Sequence, residues 1–237
     1  MNGVVRLRTR RGSRVRESPV RNRDCSELEV DNWALSEFVL SSLVPVVGTH
    51  PFPLGELMLM AAAVCALEPA EIFEWGTHLG KSARVFAETA EGFGLPTRIV
   101  SVDLPDDVAH VEHPGMQRGA FVRGVERVAL LQGDGLELSL RAWADGGRKP
   151  APLFFLDGDH SYESVSRELH ALASAVPDAS MLVHDTFFQS EESGYNVGPH
   201  KAVQDLLATY PGRYRALAVD TGLPGMTLLY PSRDAHG

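Results

Sequence analysis

Apolar residues recur at helical spacing through 31–43, at Trp33, Leu35, Phe38, Val39 and Leu43, with Asp31 placed to cap the amino terminus. Pro45, Pro51 and Pro53 then interrupt. A second helix is predicted over Leu54–Leu67; it is apolar on most sides, as a helix packed between layers should be, and only Glu56 breaks the run. After Pro69 short apolar runs alternate with helical patterns. Strands buried on both faces are predicted at 71–75, 98–102, 127–131, 153–156 and 181–183, and helices at 81–91, 116–123, 136–145 and 164–175. This alternation is the pattern of βαβ units, hence an α/β fold with a doubly wound, mainly parallel sheet. After a helix at 201–208, strands at 214–219 and 226–230 are separated by residues 220–225 only. So short a connection permits an antiparallel hairpin but no crossover, and the sheet should end in an antiparallel pair.

Composition narrows the class. The 237 residues are 44% apolar and 22% charged, which excludes collagen-like, low-complexity and wholly disordered chains. Cys25 and Cys65 are too few for a disulfide framework and fit a reducing compartment, the cytoplasm. No apolar run is long enough for a membrane span, so no membrane partner is expected. The net charge of −9 hides an asymmetry: residues 1–23 hold eight Arg against Glu17 alone, leaving 14 basic and 30 acidic residues beyond. Such an acidic body does not attract nucleic acid. Residues 1–28 read as a solvated, disordered Arg-rich leader; Arg10-Arg11 is followed by no apolar segment of an export signal. Residues 29–237 read as one domain, with N-terminal helices over 29–68 and a ligand-binding core over 69–237. The apolar helices between Trp33 and Leu67 offer a subunit contact, so a homo-oligomer is expected.

In a doubly wound sheet ligands sit beyond the carboxyl ends of the strands. The first end reads Glu74-Trp75-Gly76-Thr77-His78-Leu79-Gly80-Lys81-Ser82. It has one residue too few between glycines for a P-loop, and His78 stands where a dinucleotide fingerprint needs its middle glycine. An acid followed by G-x-x-x-G suits a ligand with a cationic or neutral group. A tight turn without a ligand is the alternative. The second end carries Asp103, where a carboxylate can accept from a ribose diol; the third carries Asp134, where an adenine amine could be met. The fourth and fifth are the sharpest: Leu156-Asp157-Gly158-Asp159-His160, and Val183-His184-Asp185-Thr186. Asp157 and Asp185 should point into one crevice. Paired carboxylates there suit a hard divalent ion, and His160 could act as general base, although either acid could instead cap a helix.

Taken in order, Glu74-x-Gly76-x-x-x-Gly80, Asp103, Gly133-Asp134, Asp157-Gly158-Asp159-His160 and His184-Asp185-Thr186 resemble class I S-adenosylmethionine-dependent methyltransferases. More narrowly they resemble the small-molecule and sugar O-methyltransferases of antibiotic biosynthesis and the cephalosporin-biosynthesis proteins, over residues 54–230. The resemblance implies a Rossmann-like, seven-stranded mixed sheet whose last strand is antiparallel. It implies S-adenosyl-L-methionine as cofactor, with Glu74, Gly76, Thr77, Gly80 and Ser82 around its methionine end, Asp103 at its ribose, Asp134 near its adenine and Asp157 alongside. It also implies a divalent metal, Mg²⁺ in the family pattern, at Asp157, Asp185 and His184, with Asp157 and His160 catalytic. His184 departs from the acidic pair of the metal-dependent relatives, and imidazole favours softer ions than Mg²⁺.

The chemistry then expected is transfer of a methyl group to a hydroxyl of a small molecule: a natural-product sugar, a polyketide or a phenol. Two other classes stay open: an NAD(P)-dependent oxidoreductase, disfavoured by the missing glycine and the 29 positions from Glu74 to Asp103, and a noncatalytic cofactor-binding protein. Residues 187–199, with Phe187, Phe188 and Tyr195, read as a lid, and 104–114, with His110 and His113, as a second rim that binds no zinc.

Overall fold

The computed structural model describes residues 15–20, 22, 25, 27–110, 114–194 and 196–232. Its strands are β1 (Glu71–Trp75), β2 (Arg98–Asp103), β3 (Val128–Gln132), β4 (Leu153–Leu156), β5 (Ser180–His184), β6 (Tyr214–Val219) and β7 (Met226–Pro231), in the spatial order β3-β2-β1-β4-β5-β7-β6. β1 to β5 pair in parallel; β7 runs antiparallel between β5 and β6. This is the Rossmann-like, seven-stranded mixed sheet that the alternating pattern and the short 220–225 connection predict.

The side-chain alternation of strands explains why the central runs are continuously apolar. Ile72, Leu153, Phe155 and Leu182 pack under α1 (Asn32–Phe38), α3 (Leu54–Leu67) and α4 (Lys81–Gly92). Phe73, Trp75, Phe154 and Met181 face the other way, under α6 (Tyr162–Ala175) and α7 (Val197–Thr209), with Leu136 and Leu138 of α5 (Gly135–Asp145) at the margin. α3 is apolar on nearly every side because it is covered by α1 and by α4 as well as by the sheet. The one charge it carries, Glu56, is 2% exposed.

Four expectations need correction. Residues 116–123 form no α-helix; Gly115–Gln117 and Ala120–Val122 are separate 3₁₀ turns broken by left-handed Gly119. Pro45 does not stop the first helical segment: a π-helical stretch, Val39–Leu43, lets the Val44 N–H reach the Val39 carbonyl, and α2 (Val44–Val47) follows with Pro45 in its first turn, where no N–H is required. β3 is not buried on both faces, because it is a sheet edge; Leu130 and Leu131 are exposed. The leader is not solvated throughout. Arg16 bonds Ser41 and Ser42 and lies over the Phe38 ring, its N–H reaches the Gly92 carbonyl, and Glu27 pairs with Arg215 and accepts from Tyr230. Arg6, Arg8, Arg10, Arg11 and Arg14 lie outside the described residues. Among those described, no helix is long and apolar enough to cross a membrane.

One buried carboxyl makes the fold sensitive to pH. Glu168 on α6 accepts from the Trp75 indole at 3.1 Å, and burial pushes its pKa up to about 7. A carboxyl whose folded pKa is raised favours folding fully below its unfolded value and loses that contribution as pH rises through the folded one. The wild type should therefore lose Tm between pH 5 and pH 8, and Glu168→Gln, which keeps an acceptor for Trp75, should shrink that fall. Thermal unfolding of both proteins across that window checks this.

Candidate functional site

The parallel register of β4 and β5 sets Leu156 beside Val183, so the next residues, Asp157 and His184, meet at the carboxyl edge of the sheet. His184 Nδ1 lies 2.8 Å from Asp157 Oδ1 and 3.2 Å from Asp185 Oδ2. Its Nε2 lies 3.1 Å from Glu56 Oε2, carried in from α3. The other Glu56 oxygen accepts the Gly225 N–H at 2.9 Å. The imidazole ring packs against Phe52 at 5.1 Å and Phe155 at 6.3 Å between ring centroids. Burial alone would lower the His184 pKa, but Asp157, Asp185 and Glu56 outweigh it and hold it well above the ordinary histidine value.

Asp185 takes a left-handed backbone, φ +57°, and is 2% exposed. Such a conformation costs a non-glycine residue about 1 kcal/mol or more, and it aims the carboxylate back towards Asp157. His160 completes the group: its Nδ1 lies 3.1 Å from Asp185 Oδ2. The amino end of α7 presses on this loop so closely that a Cβ on Gly198 would stand 2.2 Å from the His160 carbonyl oxygen. A capping pair holds the loop from below, where Asp159 accepts from the Ser161 N–H and hydroxyl.

Asp157, His184 and Asp185 each offer a ligand atom within 4.8 Å of the others. Two carboxylate oxygens and an imidazole nitrogen fit a divalent ion in donor chemistry and leave positions for substrate oxygens. The three are the metal residues the sequence indicates, and the arrangement brings them together.

The neighbouring strand ends carry the residues that the resemblance places around the cofactor. Glu74 is fully buried, accepts from the Ser101 hydroxyl at 2.6 Å, and has its pKa pushed up to about 8, by burial foremost and then by Asp157 and Asp103. Its Oε2 has no hydrogen-bond partner among the described residues, so it would take a donor from a ligand. Thr77 reaches the same Ser101 hydroxyl at 2.5 Å, and Ser82 is buried in the first turn of α4 behind the left-handed Gly80. Asp103 is already engaged: Oδ2 accepts from the His78 N–H and from Arg118 Nε, each at 3.0 Å, and Oδ1 from the Leu104 N–H at 2.9 Å. Asp134 caps α5 through the Glu137 N–H at 2.8 Å, the alternative role for an acid at a strand end. His113 and Tyr195 lie outside the described residues. The 187–199 segment is shorter than the sequence suggests, because Val197 to Pro199 already belong to α7, and the Phe188 ring lies tilted against that of His200, 4.9 Å between centroids. Cys65 is no nucleophile, since burial pushes its thiol up to about 12.

Two participants escape the sequence reading. Glu56 is visible only as a lone charge in an apolar helix, a signal that a buried partner exists but not which one. Arg118 is hidden in a stretch that reads as helical.

Residues 73–186, which hold every strand end described above from β1 to β5, match a family model described as a methyltransferase domain. Over this stretch, about half of its length, the chain is similar to a methyltransferase domain. Over 165 residues it is 25% identical to a rhamnosyl O-methyltransferase of Mycobacterium leprae, a match spanning 62% of this chain and 63% of that protein, less than two thirds of the relative's length. Solved structures share the fold of this chain. CalS11, a TDP-rhamnose 3'-O-methyltransferase in calicheamicin biosynthesis, superposes with a TM-score of 0.54 at 17% identity, over 84% of this chain and 92% of that one. An O-methyltransferase from Bacillus cereus in complex with SAH gives 0.55 at 18% identity, over 84% and 90%.

Gly76 ties the turn after β1 to the carboxylate cluster. Its φ is +97°, and a Cβ there would lie 2.0 Å from the Asp157 carbonyl oxygen. Gly76→Ala should displace β1 from β4 and cost about 2 kcal/mol or more of stability, from the strained backbone and the overlap together. Denaturant unfolding of the variant measures the loss.

Proposed function

We propose that this chain is an S-adenosyl-L-methionine-dependent O-methyltransferase of a small hydroxylated molecule, a sugar hydroxyl first among the acceptors, working with a divalent metal. The observation that carries this reading is the convergence of Asp157, His184, Asp185 and His160 at adjacent strand ends, beside the Gly76 turn. The sugar acceptor is supported by the rhamnose substrates named for both the Mycobacterium leprae relative and CalS11. Use of the cofactor is supported by the SAH complex of the Bacillus cereus structure.

In the cofactor the sulfonium already makes the methyl group electrophilic, so the protein has to align an oxygen with it and take that oxygen's proton. Glu74, Gly76, Thr77, Gly80 and Ser82 would line the methionine end, Asp103 the ribose and Asp134 the adenine. Asp103 would share its remaining lone pairs with the ribose beside Arg118. Asp185 orients His160 through Nδ1, directing Nε2 away from the carboxylate cluster; there it would accept the hydroxyl proton as the O–CH₃ bond forms and the S–CH₃ bond breaks. Asp157, Asp185 and His184 would hold the metal, which supplies charge that lowers the hydroxyl's pKa and fixes its position. Exposed Trp33 and Leu40, seven residues apart on the first helical segment, support a homo-oligomer.

Calorimetry with S-adenosylhomocysteine, NAD and NADP separates this reading from an oxidoreductase: only the first should bind. His160→Ala should lower turnover on an accepted sugar by about 10²- to 10⁴-fold while leaving S-adenosylhomocysteine affinity nearly intact. Unchanged turnover would remove His160 from the reaction, and binding of a nicotinamide cofactor alone would overturn the proposal.

A further inference from the structure

We infer that Glu56 is a positioning residue that fixes the ring and tautomer of His184, so that Nδ1 faces Asp157 and Asp185 as a metal-binding lone pair and the site prefers borderline divalent ions over Mg²⁺. The inference rests on the metal-assisted reading above and adds to it a residue from outside the sheet.

A neutral imidazole carries one N–H, and its place is decided by what each nitrogen faces. A carboxylate accepts and cannot donate. Glu56 Oε2, 3.1 Å from His184 Nε2, therefore holds the N–H at Nε2 once an ion takes Nδ1. The Glu56 carboxylate cannot swing away, because its other oxygen is tied to the Gly225 N–H at 2.9 Å and its helix is buried. The ring cannot tilt freely either, lying 5.1 Å from Phe52 and 6.3 Å from Phe155. Metal-binding imidazoles characteristically give their second N–H to such a carboxylate, and removing it costs about 10- to 100-fold in metal affinity. With a nitrogen in place of a third carboxylate oxygen, the donor set moves away from Mg²⁺ and towards Mn²⁺, Co²⁺ and Zn²⁺. Glu56 is also the one charged residue of Leu54–Leu67, so the N-terminal helices contribute a side chain to the site as well as a cover.

The experiment uses the full chain, stripped of metal by chelation and saturated with S-adenosylhomocysteine. Titrations with Mg²⁺, Mn²⁺, Co²⁺ and Zn²⁺ are followed by calorimetry, and the imidazole nitrogens are observed by ¹⁵N NMR in the Zn²⁺-loaded protein. Wild type should bind Co²⁺ and Zn²⁺ at least about tenfold more tightly than Mg²⁺, with the proton on Nε2. In Glu56→Gln the amide can donate to Nε2, which moves the proton to Nδ1 and blocks the lone pair. Its affinity for Co²⁺ and Zn²⁺ should fall about 10- to 100-fold, while S-adenosylhomocysteine affinity stays within twofold. His184→Glu, which restores an acidic pair, should turn the preference towards Mg²⁺. Wild type binding these ions with Glu56→Gln equal to it, or with Nδ1 carrying the proton, overturns the role of Glu56 and leaves metal assistance standing. Preference for Mg²⁺ in the wild type overturns the selectivity. A wild type that binds none of the four ions overturns both this inference and the reading beneath it. If Glu56→Gln does not fold, the wild-type ¹⁵N signature and the His184→Glu preference still decide.

Discussion

One buried imidazole organises the carboxyl edge of this sheet. His184 faces Glu56 on one side and Asp157 and Asp185 on the other, so three carboxylates carried by a helix and by two strand ends converge on a single ring. Removing one partner of such a buried polar cluster typically costs more than the cluster contributes net, because the groups left behind lose their partner. The contacts of Glu56 with His184 and with the Gly225 N–H thus tie α3 to the end of β5 and to the turn before β7. The same contacts explain why a helix that is otherwise a continuous apolar run carries one acid. The cluster favours a specific arrangement of layers over mere compaction, and the left-handed Asp185 shows that backbone strain is accepted to keep it.

The glycine turn after β1 is coupled to this edge by backbone contact. Gly76 passes so near the Asp157 carbonyl that no side chain fits, and the Asp157 N–H in turn bonds the Trp75 carbonyl at 3.2 Å. Whatever ligand settles in the glycine turn therefore lies next to the carboxylate cluster. A rigid junction of this kind holds two neighbouring groups in fixed register without loop closure.

Much of this was legible in the sequence because it depends on period and spacing. Alternating apolar runs and helical patterns gave the parallel sheet, and the 220–225 connection is too short for anything but a hairpin. Acids directly after apolar strands sit at the rim by necessity, so Asp103, Asp157 and Asp185 could be placed without coordinates. What escaped depends on contacts remote in sequence. Glu56 meets His184 across 128 positions, and no local pattern encodes that meeting. Arg118 pairs with Asp103 from a turn whose apolar residues mimic a helix, because its glycines act through backbone conformation alone. The π-helical stretch before Pro45 is similar: proline predicts an interruption, and the chain resolves it by widening one turn.

The two histidines of the cluster divide its chemistry through their surroundings. His184 is 5% exposed, with carboxylates facing both nitrogens and aromatic rings beside it, so it is walled off from solvent. His160, 24% exposed at the side chain, sits at the rim with Nδ1 on Asp185. Protons move most readily through a group that can meet solvent and substrate, whereas ligands and structural cations work best where motion and water are restricted. Asp185 Oδ2 lies within 3.2 Å of both rings, so a change in charge at one is felt at the other. A single carboxylate shared by a buried histidine and an exposed one thus ties the position of the outer ring to that of the inner.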